Sequence, residues 1–155
     1  MKILIVYGTN SGGTLKAGEI MAEAFKAKKH ACTLIRADEV NPETFGKYGL
    51  VVFGSCSWGR MDNGKWLDGQ LQYHWLDLKG RLAGKKFPKT KFALYGLGDE
   101  SYEKKCGAAD ELENLLKDIE GIKIGSTLRI LGFYYDLEAN EILVRDWAEA
   151  ILEAA

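Results

Sequence analysis

The 155-residue chain has no apolar run approaching the ~20 residues of a membrane span. No bilayer-crossing helix is therefore expected, and the opening Met1 to Tyr7 reads as a strand, not as a secretory signal. Cysteine is scarce. Cys32, Cys56 and Cys106 are scattered, odd in number and without metal-ligand spacing, which argues against a disulfide framework and for a reducing, cytoplasmic setting. Net charge is nearly missing as well: 21 Lys and Arg stand against 22 Asp and Glu, a formal balance of −1. No field of one sign is available to attract nucleic acid or an acidic membrane. With no internal repeat, low-complexity tract or linker, residues 1–155 are expected to form one domain that buries roughly 70% of its unfolded surface.

The first turn is also defined by what it omits. An apolar strand, Lys2 to Tyr7, runs into Gly8, Thr9, Asn10, Ser11, Gly12, Gly13 and Thr14, and then into a helix-period segment. Gly8 and Gly13 have the spacing of a nucleotide-triphosphatase loop, but Thr14 stands where that loop needs lysine. The Gly-x-Gly-x-x-Gly order of a dinucleotide loop is not met either. What remains is a set of hydroxyls and backbone N–H groups at a helix start, suited to a single terminal phosphate. An N-capped strand-to-helix turn that holds nothing fits the same residues.

Short apolar runs at Ile3 to Tyr7, Cys32 to Ile35, Leu50 to Phe53, Phe92 to Tyr95 and Thr127 to Leu131 read as buried strands. Helical stripes lie between them, at Ala17 to Phe25, Ala108 to Ile119 and Leu143 to Ile151. A short helix is expected from Asn41 with Pro42 at its first position, and a fifth within Gly64 to Leu82. Alternating strands and helices predict an α/β protein with a parallel, doubly wound sheet and helices on both faces. In such sheets ligands bind beyond the carboxyl ends of the strands, here the loops Gly8 to Thr14, Gly54 to Asn63 and Gly96 to Gly107. A receiver-type signalling domain shares this topology but needs an acidic cluster after the first strand, where this chain has Gly8, Thr9 and Asn10.

The second and third loops each carry one large aromatic, Trp58 and Tyr102, among small residues. Either ring alone is explained by folding back onto the core. Two such rings beside a phosphate turn favour a flat cofactor stacked between them, its polar edge on loop amides. The six cations and no acid between Asp77 and Asp99 read as a solvated connection, with a docking patch as the alternative. The aromatic segment Trp66 to Leu78 reads as core packing or as a partner surface. His30 and His74 read as solvent-facing or hydrogen-bonded side chains, since neither is paired with a second ligand or a nucleophile.

Three signatures, Thr9 to Thr14, Ser57 to Gly59, and Gly98 to Glu103 followed by Cys106 and Gly107, fall in order at these strand ends. By them the chain resembles the short-chain flavodoxins over essentially its whole length. The resemblance implies a flavodoxin-like three-layer α/β/α sandwich with a five-stranded parallel sheet of order 2-1-3-4-5. It implies that Thr9, Asn10, Ser11, Gly12, Gly13 and Thr14 hold the phosphate of noncovalent flavin mononucleotide (FMN). Trp58 and Tyr102 would cover the two ring faces, while Cys56, Ser57, Gly59, Arg60, Leu97, Gly98, Asp99 and Cys106 would border the ring.

The implied activity is that of a one-electron carrier, with FMN cycling between quinone, neutral semiquinone and hydroquinone to shuttle low-potential electrons. Its implied partners are a reductase or other donor and an acceptor oxidoreductase, with the chain itself monomeric and without a substrate of its own. An FMN-dependent reductase of quinone-type small molecules, on the same fold, is the alternative. The resemblance implies that the Gly59 peptide turns its carbonyl toward the flavin once the semiquinone forms, glycine permitting the required φ > 0. Arg60 stands where the family often has an acid, and either eases formation of an anionic flavin or points into water and is screened.

Overall fold

Strand β1 (Lys2–Gly8) shows how this sequence builds its layers. Ile3, Leu4, Ile5 and Val6 are all fully buried, which an apolar run achieves only with cover on both faces. Ile3 and Ile5 join one apolar cluster and Leu4 and Val6 the other, as the period of two along a strand requires. The computed structural model describes residues 1–155. After β1 come α1 (Gly13–Ala27), β2 (Ala31–Arg36), a 3₁₀ helix at Pro42–Lys47, β3 (Leu50–Asp62), β4 (Lys65–Leu71) and α2 (Tyr73–Leu82). The chain continues through β5 (Lys91–Gly98), α3 (Gly107–Asp118), β6 (Ile122–Lys123), β7 (Leu128–Leu131) and α4 (Leu137–Ala154).

The five expected strands are all present and parallel, in the spatial order β2-β1-β3-β5-β7. That is the anticipated order, with helices on both faces. Ala17, Met21 and Phe25 of α1 and Val144, Trp147 and Ile151 of α4 cover one face. Trp75 and Leu78 of α2, Leu112 and Leu116 of α3, and Phe45 of the 3₁₀ helix cover the other. Asn41 caps that 3₁₀ helix as expected, its side chain accepting from the Glu43 N–H.

One reading needs correction. The segment Gly54 to Asn63 is not a loop: β3 continues through it to Asp62 and pairs antiparallel with β4, so the expected fifth helix begins only at Tyr73. The hairpin turns on Asn63 and Gly64, whose φ of 48° and 75° fit the tight primed turns that Asn-Gly favours. The basic run after Asp77 leads into an exposed connection, as expected, though part of it is tethered. Arg81 donates to Asp77 and to the carbonyls of Val40 and Ala37, Lys85 pairs with Glu43, and Lys86 donates to the Asp118 carbonyl. The last strand is also split: β6 pairs with the start of β5 and β7 with its end.

Two buried side chains bond to backbone carbonyls, one tying β5 to the start of α1 and the other tying α2 to β3. Tyr95 Oη, fully buried, donates to the Thr14 carbonyl at 2.9 Å, and Trp75 Nε1 donates to the Gly54 carbonyl at 2.7 Å. A Cβ at Gly54 would overlap the Tyr95 ring, so a Gly54→Ala substitution forces that ring aside. Gly54→Ala is expected to cost ~1–3 kcal/mol, and Tyr95→Phe, which removes only the hydroxyl bond, about 1 kcal/mol, both read from urea unfolding midpoints.

Candidate functional site

Between β1 and α1 the chain turns on Gly12, whose φ of 89° lies in the left-handed region open to glycine. Thr9 Oγ1 accepts from the Gly12 N–H at 2.9 Å and closes the turn from inside. The first turn of α1 has no acidic side chain, and its first N–H groups have no side-chain cap. That leaves partial positive charge at the mouth of the turn, with no anion of the protein to meet it. Thr14 is fully buried, and its Oγ1 has no hydrogen-bond partner. A buried orphan hydroxyl costs ~1–3 kcal/mol. An oxygen of a bound phosphate would remove that cost, so the residues present fit a phosphate group.

A cleft of ≈ 320 Å³ opens from this turn across the carboxyl ends of β3, β5 and β7. Trp58 lines one side, at an irregularity in the β3–β4 pairing between Trp58 and Arg60, with its ring 6.0 Å from that of Tyr73. Gly59, next to it, is not among the residues with φ > 0, and the expected turn of its peptide belongs to the semiquinone state. Its glycine is required for another reason: a Cβ would overlap the indole of Trp66, which packs on the Gly59 backbone.

Tyr102 lines the other side, on the loop between β5 and α3. The Asp99 N–H donates to the Lys105 carbonyl at 2.9 Å, and the Tyr102 N–H donates to the Asp99 carbonyl at 3.2 Å. Asp99 Oδ1 accepts from both Ser101 N–H and Ser101 Oγ, and the Ser101 hydroxyl holds the Asp99 carboxyl below the usual carboxylate range. Asp68, on β4, accepts from the N–H groups of Glu103 and Lys104 at 2.9 and 3.0 Å, and the Lys104 bond lowers its pKa. Gly69 and Gly107 complete this junction, since a Cβ on Gly107 would overlap the Gly69 carbonyl. The hairpin therefore carries one aromatic wall and pins the other.

Burial pushes up the thiols of Cys56 and Cys106, so neither is poised as a thiolate nucleophile. Tyr102 is also raised by burial, reinforced by the Asp99 charge, and stays a neutral phenol. The cleft thus offers neutral donors, small loop residues and aromatic faces.

Of the residues anticipated from sequence, Asn10, Ser11, Gly13, Thr14, Cys56, Ser57, Trp58, Leu97, Gly98, Asp99 and Tyr102 come together along this cleft. Thr9, Gly12, Gly59, Arg60 and Cys106 do not line it. Thr9 and Gly12 shape the turn, Gly59 carries the Trp66 indole, and Cys106 precedes α3. Arg60 is exposed on β3 opposite Leu67, where solvent screens its charge from the cleft. A fourth wall was missed: Gly132, Phe133, Tyr134 and Tyr135, the segment leaving β7. The rule that located the other three loops at strand ends applies to this one, and its three consecutive aromatics were the signal.

The 66–78 segment is divided rather than wholly core or wholly surface. Trp75 and Leu78 are buried, while Trp66 and Tyr73 are 56% and 51% exposed, on the backbone of Gly59 and beside Trp58 respectively. His30 Nδ1 lies 2.8 Å from the terminal amino group, and His74 is hydrogen-bonded to Gln72.

The family model for flavodoxin matches residues 5–141. A flavodoxin of Maridesulfovibrio salexigens is 33% identical over 98% of this chain and 97% of its own length. One from Nitratidesulfovibrio vulgaris is 29% identical over 98% and 97%. Among solved structures, oxidised flavodoxin 2 of Bacillus cereus superposes with a TM-score of 0.84 at 24% identity, covering 99% of both chains. A phosphate-suited turn without a cation, two aromatic walls at the strand ends and a family match over most of the chain agree: it belongs to the flavodoxins, electron-transfer proteins that bind FMN.

Proposed function

We propose that residues 1–155 act as one FMN-binding domain that carries single electrons between redox proteins. On this reading it takes them from a reductase or other donor, gives them to an acceptor oxidoreductase, and works as a cytoplasmic monomer with no substrate of its own. The observation that carries the reading is the buried, partnerless Thr14 hydroxyl at the base of a helix N-terminus, opening into an aromatic cleft. No helix is long and apolar enough to cross a membrane.

Bound FMN supplies the one-electron chemistry, and the protein supplies binding, orientation and electrostatics. Asn10, Ser11, Gly13 and Thr14 take the phosphate, and the α1 dipole offsets part of its charge. Trp58 and Tyr102 hold the ring system and limit its contact with water, which makes added negative charge on the ring costly. Ser57 Oγ accepts from the Ala108 N–H at 3.1 Å, which ties β3 to the start of α3 and leaves the hydroxyl hydrogen free in the cleft. Phe133 is a buried part of the cleft lining, while Tyr134 and Tyr135 line it as exposed rings that would border a bound flavin.

Three outcomes are expected. Replacing Thr14 by valine keeps the shape and removes the hydroxyl: FMN affinity should fall by ~1–2 kcal/mol, riboflavin affinity should hold, and the ligand-free protein should be no less stable. Fluorescence titration with both flavins, beside urea unfolding, measures this. Coulometric reduction of the FMN-loaded protein should resolve two separate one-electron waves, whereas a single two-electron wave would support the quinone-type reductase instead.

The third outcome concerns acid. Asp68 and Asp99 have lowered pKa values in the fold, so their contribution to holding the Tyr102 loop is complete above about pH 4 and is lost as pH falls through those values. Riboflavin, which has no phosphate to titrate, should stay bound down to about pH 4 and be released below it. Its fluorescence against pH checks this, and release already complete at about pH 6 would contradict it.

A further inference from the structure

Gln72 is fully buried between β4 and α2, against the Thr9–Asn10 segment of the turn. Its backbone N–H donates to Ser55 Oγ at 3.1 Å, and its Oε1 caps α2 by accepting from the His74 N–H at 2.8 Å. Nε2 reaches three acceptors: the Thr9 carbonyl at 3.4 Å, Asn10 Oδ1 at 3.3 Å and His74 Nδ1 at 2.9 Å. Gly8 leaves room for this carboxamide, since a Cβ there would stand 2.5 Å from Gln72 Oε1. An amide nitrogen has two hydrogens. One goes to the imidazole, and the other is shared between the two acceptors of the turn.

We propose that Gln72 is a positioning residue for the phosphate turn, and that the protonation state of His74 decides whether it can hold that position. The inference rests on the reading that this turn binds the phosphate of FMN. With Nδ1 accepting from Gln72, the imidazole is neutral and carries its proton on Nε2, 3.9 Å from Asp38 Oδ2. A proton taken from water onto Nδ1 sets an N–H against the Gln72 NH₂, donor to donor. Turning the amide over gives no relief. Oε1 would then face the Thr9 carbonyl and Asn10 Oδ1, and Nε2 would face the His74 N–H. Unturned, the amide loses its bond to the imidazole and is pushed off its place against the turn; turned over, it gives up both the turn and the α2 cap.

The groups around the imidazole pull in opposite directions. Asp38 favours the charged ring, but it is already engaged by Arg36 at 2.6 and 3.0 Å, and Arg36 also meets Glu39 at 3.3 Å. The Tyr73 ring lies 4.1 Å from that of His74, centroid to centroid. Asp77, the next acid on α2, is paired with Arg81 at 3.0 Å. The His74 side chain is only 12% exposed, so its second proton enters a site whose nearest acceptor is occupied by a donor.

The test compares FMN with riboflavin, by flavin fluorescence quenching, between about pH 5.5 and 8. It uses the unaltered chain, Gln72→Glu and His74→Asn. Gln72→Glu keeps an acceptor for the His74 N–H and loses the donor to the turn. It should weaken FMN about tenfold and riboflavin less than about twofold. In His74→Asn the side-chain oxygen accepts from Gln72 at every pH. The FMN-to-riboflavin affinity ratio of the unaltered chain should therefore fall more steeply toward acid than that of His74→Asn.

The phosphate's own second ionisation, near pH ~6, contributes equally to both proteins and drops out of the comparison. Equal losses of the two flavins in Gln72→Glu, or identical pH slopes in His74→Asn, would overturn the inference while leaving the flavin reading intact. If Gln72→Glu does not fold, the slope comparison decides alone. Failure of the unaltered chain to bind FMN even at pH ~8 would overturn both readings.

Discussion

Burial on both faces of the central sheet is the constraint on which the rest depends. In β1, β3 and β5 successive side chains enter opposite apolar clusters, so no position along these strands is free to meet a ligand. Only their carboxyl ends are free, and there small or polar residues interrupt the apolar runs: Gly8, Ser55 and Ser57, and Gly96 and Gly98. The buried Tyr95 hydroxyl and Trp75 indole N–H reach backbone carbonyls at this boundary. Polar groups of the core are thereby satisfied by the same segments that form the cleft, and the core's rigidity extends to its floor.

The β3–β4 hairpin is the second organising element. An isolated two-stranded hairpin is marginal in water. Here Asp68 binds two N–H groups of the loop opposite, and Gly69 meets Gly107 at the start of α3. Trp66 folds back over Gly59, so the arm that presents Trp58 is held from its outer side by an indole that is itself more than half exposed. The two aromatic walls are thus coupled through β4, although one is carried by β3 and the other by the loop after β5.

Much of this was legible in the chain, because the relevant signals are local. Gly8 to Thr14 announces its turn through glycine and hydroxyl spacing, and apolar runs of four or five residues mark the five parallel strands. What escaped reading depended on pairing across the fold. Residues 58–62 carry Trp58, Gly59, Arg60, Met61 and Asp62, a mixture with no buried face, so periodicity alone marks them as a loop. They become a strand because Asn63-Gly64 folds residues 65–71 against them, and that dipeptide was the available clue. The packing at Gly59 was hidden for a related reason: nothing local shows that Trp66, seven residues on, will occupy the space a Cβ would need. Gln72 was likewise silent, since a lone glutamine declares neither that it will be fully buried nor what it will face.

The electrostatic design follows from the missing lysine. A turn that binds phosphate through N–H groups, hydroxyls and a helix dipole leaves part of the ligand's charge unneutralised, and relies on partners that salt screens less than exposed ion pairs. Around the cleft the free charges are of both signs. Arg60 and Lys65 stand beside Asp62 on the hairpin, and Lys105 pairs with Glu100 on the opposite loop. Such a rim builds no extended field of one sign, so steering of a charged partner has little to act on. Exposed aromatic surface is instead concentrated there: Trp66 and Tyr73 on the hairpin side, and Tyr135, 85% exposed, after β7. Contact between such rings and a second protein gains from apolar burial at short range, which selects for fit once the two surfaces meet rather than for speed of approach.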